Sequence, residues 1–363
     1  MGGPAPDMVR LEGVSKHYGP VMALADVDLA VRAGEFLTLL GPSGSGKTTV
    51  LNVIAGMVAP SAGRVWIQGR DATHTPPSQR GLGMVFQNYA LMPHMTVFEN
   101  IAFPLRVRKA AAAEIRRKVA EVLEMVRLPE VAERKPKQLS GCQQQRIAIA
   151  RCLVYNPALI LMDEPLGALD KKLRDQMQLE IKQLHARLGI TVLYVTHDQE
   201  EAMVMSDRVC LLQNGRIEQV GTPDELYFRP AGVFAADFLG ESNLLDGTLD
   251  DVASGCVRVC GPAGAPIIAP CPAEVPPRGP VKVMVRPENL RFLGAGERAA
   301  NQLEGTLEQV ILAGSVTRYL VCLADGTRVR ATRLTQRNPA VPLSGAGVRL
   351  GWSVEDTVLL PGP

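Results

Sequence analysis

Gly41-Pro42-Ser43-Gly44-Ser45-Gly46-Lys47-Thr48 decides how this chain is read. It follows the apolar run Phe36 to Leu40 and leads into a helical pattern over Thr49 to Gly56, the strand, loop and helix context that a phosphate-binding loop requires. Glycines let backbone N–H groups curl around phosphate oxygens, and the helix that follows adds its positive end. Lys47 is placed to neutralise the β- and γ-phosphates, and the Thr48 hydroxyl to ligate Mg²⁺. The expected nucleotide contacts are therefore Gly41, Pro42, Ser43, Gly44, Ser45, Gly46, Lys47, Thr48 and Thr49.

Downstream, Ala158-Leu-Ile-Leu-Met162-Asp163-Glu164 reads as a buried strand that delivers two carboxylates to the carboxyl edge of a sheet. Asp163 suits Mg²⁺ coordination through water. Glu164, one residue on and pointing differently because strand side chains alternate, suits polarising an attacking water. With the run Thr191 to Val195 before His197, these segments predict an α/β sheet whose ligand site lies along its carboxyl edge. Between Asn88 and Tyr155 the strand signal gives way to helix, including the basic stretch Arg106 to Val122, which reads as a solvated face before it reads as a binding patch.

Thr222, Pro223 and Glu225 mark a helix start, and that helix is expected to run toward Leu239. Beyond it, short alternating strands split by Gly and Pro predict a small β domain. Gly247-Thr-Leu-Asp-Asp-Val252 echoes Gly305-Thr-Leu-Glu-Gln-Val310, which suggests two similar strand entries.

At 363 residues, with 46% hydrophobic and 21% charged, the chain has room for about two globular units. Its 39 basic and 37 acidic residues leave a formal charge of +2, too small for a nucleic-acid binder, so none is expected as a partner. No apolar stretch is long enough to span a bilayer. The seven cysteines form no CxxC pair and are expected to be reduced thiols of a cytoplasmic protein.

Leu139-Ser140-Gly141-Cys142-Gln143-Gln-Gln-Arg146 resembles the signature sequence of ABC ATPases, and Asp163-Glu164 follows it at the interval of that family. Ser140 and Gln143 also form a capping box, and a capped helix start is itself an anion site. Tyr18 resembles the family's adenine-stacking aromatic, although a lone aromatic there is equally a core residue. Gln87, in Val85-Phe-Gln-Asn88, is similar to the Q-loop glutamine that touches Mg²⁺ or water; Leu166-Gly-Ala-Leu-Asp170 resembles the D-loop, and His197 the switch histidine.

The resemblance implies a P-loop cassette with a helical subdomain over 8–240 and a smaller all-β, oligonucleotide-binding-like (TOBE) domain over 241–363. It implies ATP and Mg²⁺ as ligands, with Glu164, His197 and Gln87 catalytic, Thr48, Gln87 and Asp163 at the metal, and Ser140, Gly141, Cys142, Gln143 and Asp170 serving ATP on a second copy of the chain. Permease subunits, with Tyr89 to Asn100 as the contact surface, and indirectly a solute-binding protein, would complete an importer at the cytoplasmic face of a bacterial inner membrane. Phe86 to Asn100, His197 to Ala202, Phe238 to Asn243 and Val285 to Asn289 look most like spermidine/putrescine ATPases; ferric iron or organophosphonate uptake and a non-transport ABC ATPase are the alternatives.

Cys142 departs from the family pattern, which has glycine there. Two expectations stand open. Either the thiol, its pKa lowered at a helix N-terminus, weakens ATP-driven closure or makes it redox sensitive, or it turns aside as a tolerated small residue.

Overall fold

In the computed structural model the described residues are 6–167, 169–253, 255–271, 279–337 and 344–361, so Ala168 of the expected D-loop lies outside them. The chain forms two compact units, residues 1–223 and 224–363. The helices that follow Thr222, assigned to the cassette by the sequence reading, thus cluster with the β unit.

The first unit contains β1 (Asp7–Tyr18), β2 (Val21–Arg32), β3 (Phe36–Leu40), α1 (Lys47–Ala55), β4 (Ala62–Ile67), β5 (Arg70–Asp71), β6 (Gly83–Val85), α2 (Val97–Val107), α3 (Ala112–Met125), α4 (Gly141–Leu153), β7 (Leu159–Asp163), α5 (Lys171–Leu188), β8 (Thr191–Thr196), α6 (Gln199–Met205), β9 (Arg208–Gln213) and β10 (Arg216–Gly221). One sheet has the order β2-β1-β4-β5, the other β10-β9-β3-β8-β7-β6. In the second, β6, β7, β8, β3 and β9 are parallel and β10 closes the edge antiparallel. Every side chain of β3 and β8 is buried, as strands covered on both faces must be, which is why they read as unbroken apolar runs.

Two cores result. One joins β1, β2 and β4 to α1 and the sheet through Leu11, Val50, Leu51 and Leu161. The other lies under α2, α3 and α4 and includes Ile101, Val119, Ile147 and Met162. α2 starts at a capping box: Thr96 Oγ1 accepts from Glu99 N and Glu99 Oε2 accepts from Thr96 N.

The second unit opens with two short helices, α7 (Pro223–Phe228) and α8 (Val233–Phe238). The single helix expected toward Leu239 is therefore broken. Pro230 supplies no N–H and disfavours helical backbone at Arg229, and Gly232 is the extended N-cap from which α8 restarts. Arg286 ties both helices to the strands, donating to Tyr227 O at 2.8 Å, Ala236 O at 3.1 Å and Ser242 Oγ at 2.7 Å.

Ten strands follow: β11 (Asn243–Ala253), β12 (Cys256–Cys260), β13 (Pro266–Pro270), β14 (Pro280–Val285), β15 (Arg291–Phe292), β16 (Asn301–Ala313), β17 (Val316–Leu323), β18 (Arg328–Leu334), β19 (Gly347–Trp352) and β20 (Thr357–Pro361). The sheets are β13-β12-β11-β14-β20 and β18-β17-β16-β19-β15, the same order five strands apart except that the last strands are exchanged. The Gly247 and Gly305 echo marks this repeat. A Cβ at Gly247 would meet Val259 Cγ1 at 2.4 Å and one at Gly305 would meet Val321 Cγ1 at 2.7 Å, so neighbouring strands can pass only over glycine. Both strands then shift register, at Leu249/Asp251 and at Leu307/Gln309.

The repeats also hold each other reciprocally. Asn243 Oδ1 accepts from Arg330 N at 2.7 Å and its Nδ2 donates to Arg330 O at 2.8 Å; Asn301 Oδ1 accepts from Ile268 N at 2.7 Å and its Nδ2 donates to Ile268 O at 2.8 Å. Asn301, fully buried, donates also to Thr357 Oγ1 at 3.0 Å. Truncating either asparagine strands a backbone pair: Asn243→Ala is expected to lower stability by about 1–3 kcal/mol and Asn301→Ala by more. Chemical denaturation followed by fluorescence, with buried Trp352 reporting on this unit, checks both values.

Candidate nucleotide-binding site

The site is assembled by register. Leu40 pairs with Thr196, Asp163 with Val195 and Val85 with Met162, so β3, β8, β7 and β6 end at nearly one level. What leaves those ends is, in spatial order, the 41–48 loop, His197, Asp163-Glu164 and Gln87.

The loop is steep where glycine permits it. Gly46 has φ +103°, and a Cβ there would lie 2.8 Å from Ala23 O and from Leu24 Cδ2 on β2; a Cβ at Gly41 would lie 2.3 Å from Leu212 O. The bend therefore requires glycine at both positions. Ser43 and Gly44 form the exposed crest, Thr49 is half-buried in the first turn of α1, and Ser45 is buried with its Oγ unpartnered. Lys47 is 5% exposed and donates to Gly41 O at 2.7 Å and Pro42 O at 2.9 Å. Burial lowers its pKa, opposed by the Glu164 and Asp163 carboxylates.

Thr48 Oγ1 donates to Asp163 Oδ1 at 3.3 Å, uniting two of the three expected metal contacts. Burial pushes the Asp163 pKa up, the Thr48 hydrogen bond and Lys47 pull it down, and Glu164 adds to the rise. A hydroxyl and a carboxylate oxygen fit a hard cation such as Mg²⁺, which takes few protein ligands and completes its shell with phosphate and water. Among the described residues no cluster of three or more His, Cys, Asp or Glu side chains is placed to hold a metal by itself.

Glu164 does more than alternate along the strand. Its φ of +43° is left-handed, a conformation that costs a non-glycine residue about 1–2 kcal/mol, and its N–H is held by Val195 O at 3.0 Å. The carboxylate Oε2 lies 3.2 Å from His197 Nδ1, which unites the expected base and switch histidine. Gln87 stands beside Gly167, where a Cβ would be 3.9 Å from its Nε2; no hydrogen bond joins it to Thr48 or Asp163 among the described residues. Tyr18 is 47% exposed, with Lys16 Nζ 5.1 Å from its ring centroid, on the β1–β2 hairpin that also carries Ala23 against Gly46. It is not a core residue.

α4 starts as expected: Ser140 Oγ accepts from Gln143 N at 3.3 Å, and Gln143 Oε1 accepts from Ser140 N at 3.0 Å. Gly141 lies against Leu169 and Tyr89. Among the described residues no hydrogen bond or ion pair connects 140–143 with 41–48, so this helix start is not part of its own chain's phosphate loop. Asp170 caps α5, accepting from Leu173 N at 3.0 Å. Cys142 corrects an expectation. Its half-buried thiol packs on the helical core, and burial pushes its pKa up, outweighing the nearby Arg146, where a helix start was expected to lower it.

Sequence reasoning missed the group that fixes the strand end preceding His197. Glu201 is 2% exposed; its Oε2 accepts from Tyr194 Oη at 2.8 Å and Thr196 Oγ1 at 2.7 Å, which pins the end of β8 to α6. Asp198 caps α6 and pairs with Arg174 at 2.8 Å, while Arg174 also donates to Leu169 O at 3.2 Å, joining the turn after His197 to Leu169. The signal was one of two adjacent acids in the first turn of a helix, Glu201 being indistinguishable in sequence from Glu200.

Comparison with known proteins agrees with this geometry. A family profile described as "ABC transporter" matches residues 24–167, and one described as "TOBE domain" matches 283–360. The spermidine/putrescine import ATP-binding protein PotA of Thermobifida fusca is 47% identical over 98% of this chain and 94% of its own length; that of Rubrobacter xylanophilus is 44% identical over 98% and 94%. The chain belongs to the ABC transporter ATP-binding family. Among solved structures, a dimeric ATP-binding cassette in a post-hydrolysis state with ADP and Pi superimposes with a TM-score of 0.53 at 38% identity, over 60% of this chain and 99% of that one. CbiO1 from Clostridium perfringens does so with a TM-score of 0.58 at 26% identity, over 61% and 90%. The segments that carry the 41–48 loop, Gln87, the α4 start and Asp163-Glu164 all fall within the first matched range.

Two outcomes follow for this site. Burial raises the Glu201 pKa, so ionisation is costlier in the folded chain than in the unfolded one. The native protein therefore loses stability relative to Glu201→Gln as pH climbs from acid through that raised value, and urea unfolding across a pH series will show the gap widening and then levelling. At neutral pH iodoacetamide should label Cys142 more slowly than exposed Cys260, read by peptide mass spectrometry.

Proposed function

We propose that this chain is the ATP-hydrolysing subunit of a bacterial importer whose cargo is a polyamine, spermidine or putrescine. The observation that carries the ATPase reading is the meeting, at one sheet edge, of the Lys47 loop, the Thr48–Asp163 pair and the Glu164–His197 pair. The cargo reading rests on the names of relatives that match along nearly the whole chain.

Loop N–H groups and Lys47 would hold the ATP phosphates, and the exposed Tyr18 ring would stack on adenine. Thr48 and Asp163 would hold Mg²⁺, with Gln87 reaching the same region; when bound, the cation screens phosphate charge. Glu164 would accept the hydrogen bond of the attacking water and His197 would fix the carboxylate's orientation. Because the Ser140–Gln143 helix start stands apart from its own phosphate loop, it is free to meet ATP on a second copy of the chain, with Gly141, Cys142 and Asp170 beside it. Closure of that pair would be passed to permease subunits through the 89–100 segment, at the cytoplasmic face of the inner membrane, while a solute-binding protein selects cargo. The Glu99 carboxylate in that segment is already engaged in the α2 cap, so charge reversal there would disturb the helix as well as the contact.

Glu164→Gln should lower turnover about 10²–10⁴-fold while ATP still binds, and Lys47→Ala should lose ATP binding itself; fluorescent-nucleotide titration with phosphate release separates the two. Labelled putrescine and spermidine, with ferric iron as control, are then followed into cells lacking the gene and given back the native chain or Glu164→Gln. Polyamine uptake restored by the native chain alone supports both halves of the proposal; intact polyamine uptake with lost iron uptake overturns the cargo.

A further inference from the structure

Away from the nucleotide edge, the end of α3 with its following turn, α4 and α5 line an open cleft of about 190 Å³. One wall is apolar, made by Ile149, Met177, Ile181 and Leu184. The cleft is also lined by cations: Arg127 and Arg187, both exposed, and Arg146, which is matched by Glu180 at 2.5 Å. Arg146 still leaves its Nε buried without a hydrogen-bond partner. Arg187 spends one donor on Met125 O at 2.9 Å, and no hydrogen bond or ion pair of the Arg127 side chain is found among the described residues.

Arg127 sits at φ +57°, in the turn that ends α3, where left-handed backbone favours glycine or asparagine. A long cationic side chain is therefore carried at a position whose backbone does not call for one. It lines the cleft together with two further guanidinium groups and one carboxylate, Glu180. The apolar wall would take a short hydrocarbon or aromatic body, and the arginines would take a single negative head by paired N–H donors.

We propose that this cleft binds a small amphipathic monoanion, an aliphatic or aromatic carboxylate of medium size. Such a ligand bridges α4, which begins at the Ser140 signature turn, to α5, which begins at the Asp170 cap, and so holds together two helices whose starts serve the nucleotide site. Neither the ATPase assignment nor the polyamine assignment is needed for the binding itself.

The probe is decanoate, titrated by calorimetry into the full chain, with decanol and decyltrimethylammonium as chemical controls. Saturable binding of decanoate, absent for the other two and weakened at least tenfold by Arg127→Ala with Arg187→Ala, is the expected result. Leu184→Trp, which fills the cleft from a half-buried position, should abolish it while leaving fluorescent-nucleotide binding unchanged as the control for folding. No binding to the native chain, equal binding of decanol, or unaltered affinity in both the arginine and the Leu184→Trp variants would overturn the proposal.

Discussion

Four parallel strands, hydrogen-bonded so that their carboxyl ends stop at one level, set the terms for everything else in the first unit. Each strand contributes a single short piece of chemistry, and none of those pieces would act alone. A slip of one residue in β7 against β8 would turn every side chain to the opposite face and take Asp163 from Thr48. The register is held in two ways. The central strands are buried on both faces, and the end of β8 is pinned by Glu201, which receives the Tyr194 and Thr196 hydroxyls in a dry setting where neither donor has an alternative.

The same edge concentrates unfavourable terms. Lys47 is buried among carbonyl oxygens, Asp163 is desolvated beside a second carboxylate, and Glu164 holds left-handed backbone. Each lowers stability in isolation. Together they are poised for a polyanion: phosphates would give Lys47 its counter-charge, a cation would give Asp163 and Thr48 theirs, and the strained Glu164 points where alternation along a strand would not have sent it.

How much of this could be read in the residues depended on whether a demand was local. The 41–48 loop, the Asp163-Glu164 pair and the Ser140–Gln143 cap were legible because steep turns and caps are written within a few neighbours. Gly247 and Gly305 announced a repeat for the same reason, since each must let a valine pass. The long helix after Thr222 was misjudged because a strong start signal outweighed Pro230, which ends it. The packing of Cys142 and the burial of Glu201 could not be inferred, because both depend on what α5 or β8 brings from elsewhere in the chain. The exchange of β15 and β20 was equally hidden: two identical strand orders are compatible with exchanged or unexchanged edges, and only pairing partners distinguish them.

That exchange has a consequence for the order in which the second unit can be made. The first sheet takes its fifth strand, β20, from beyond the strands of the second repeat, so it stays open along β14 until residues 357–361 have been made. A nascent chain halted before β20 presents an unpaired edge to its neighbours. The first repeat thus cannot close its own sheet before the second has been made, and the segment that completes it is the one most distant from it in sequence.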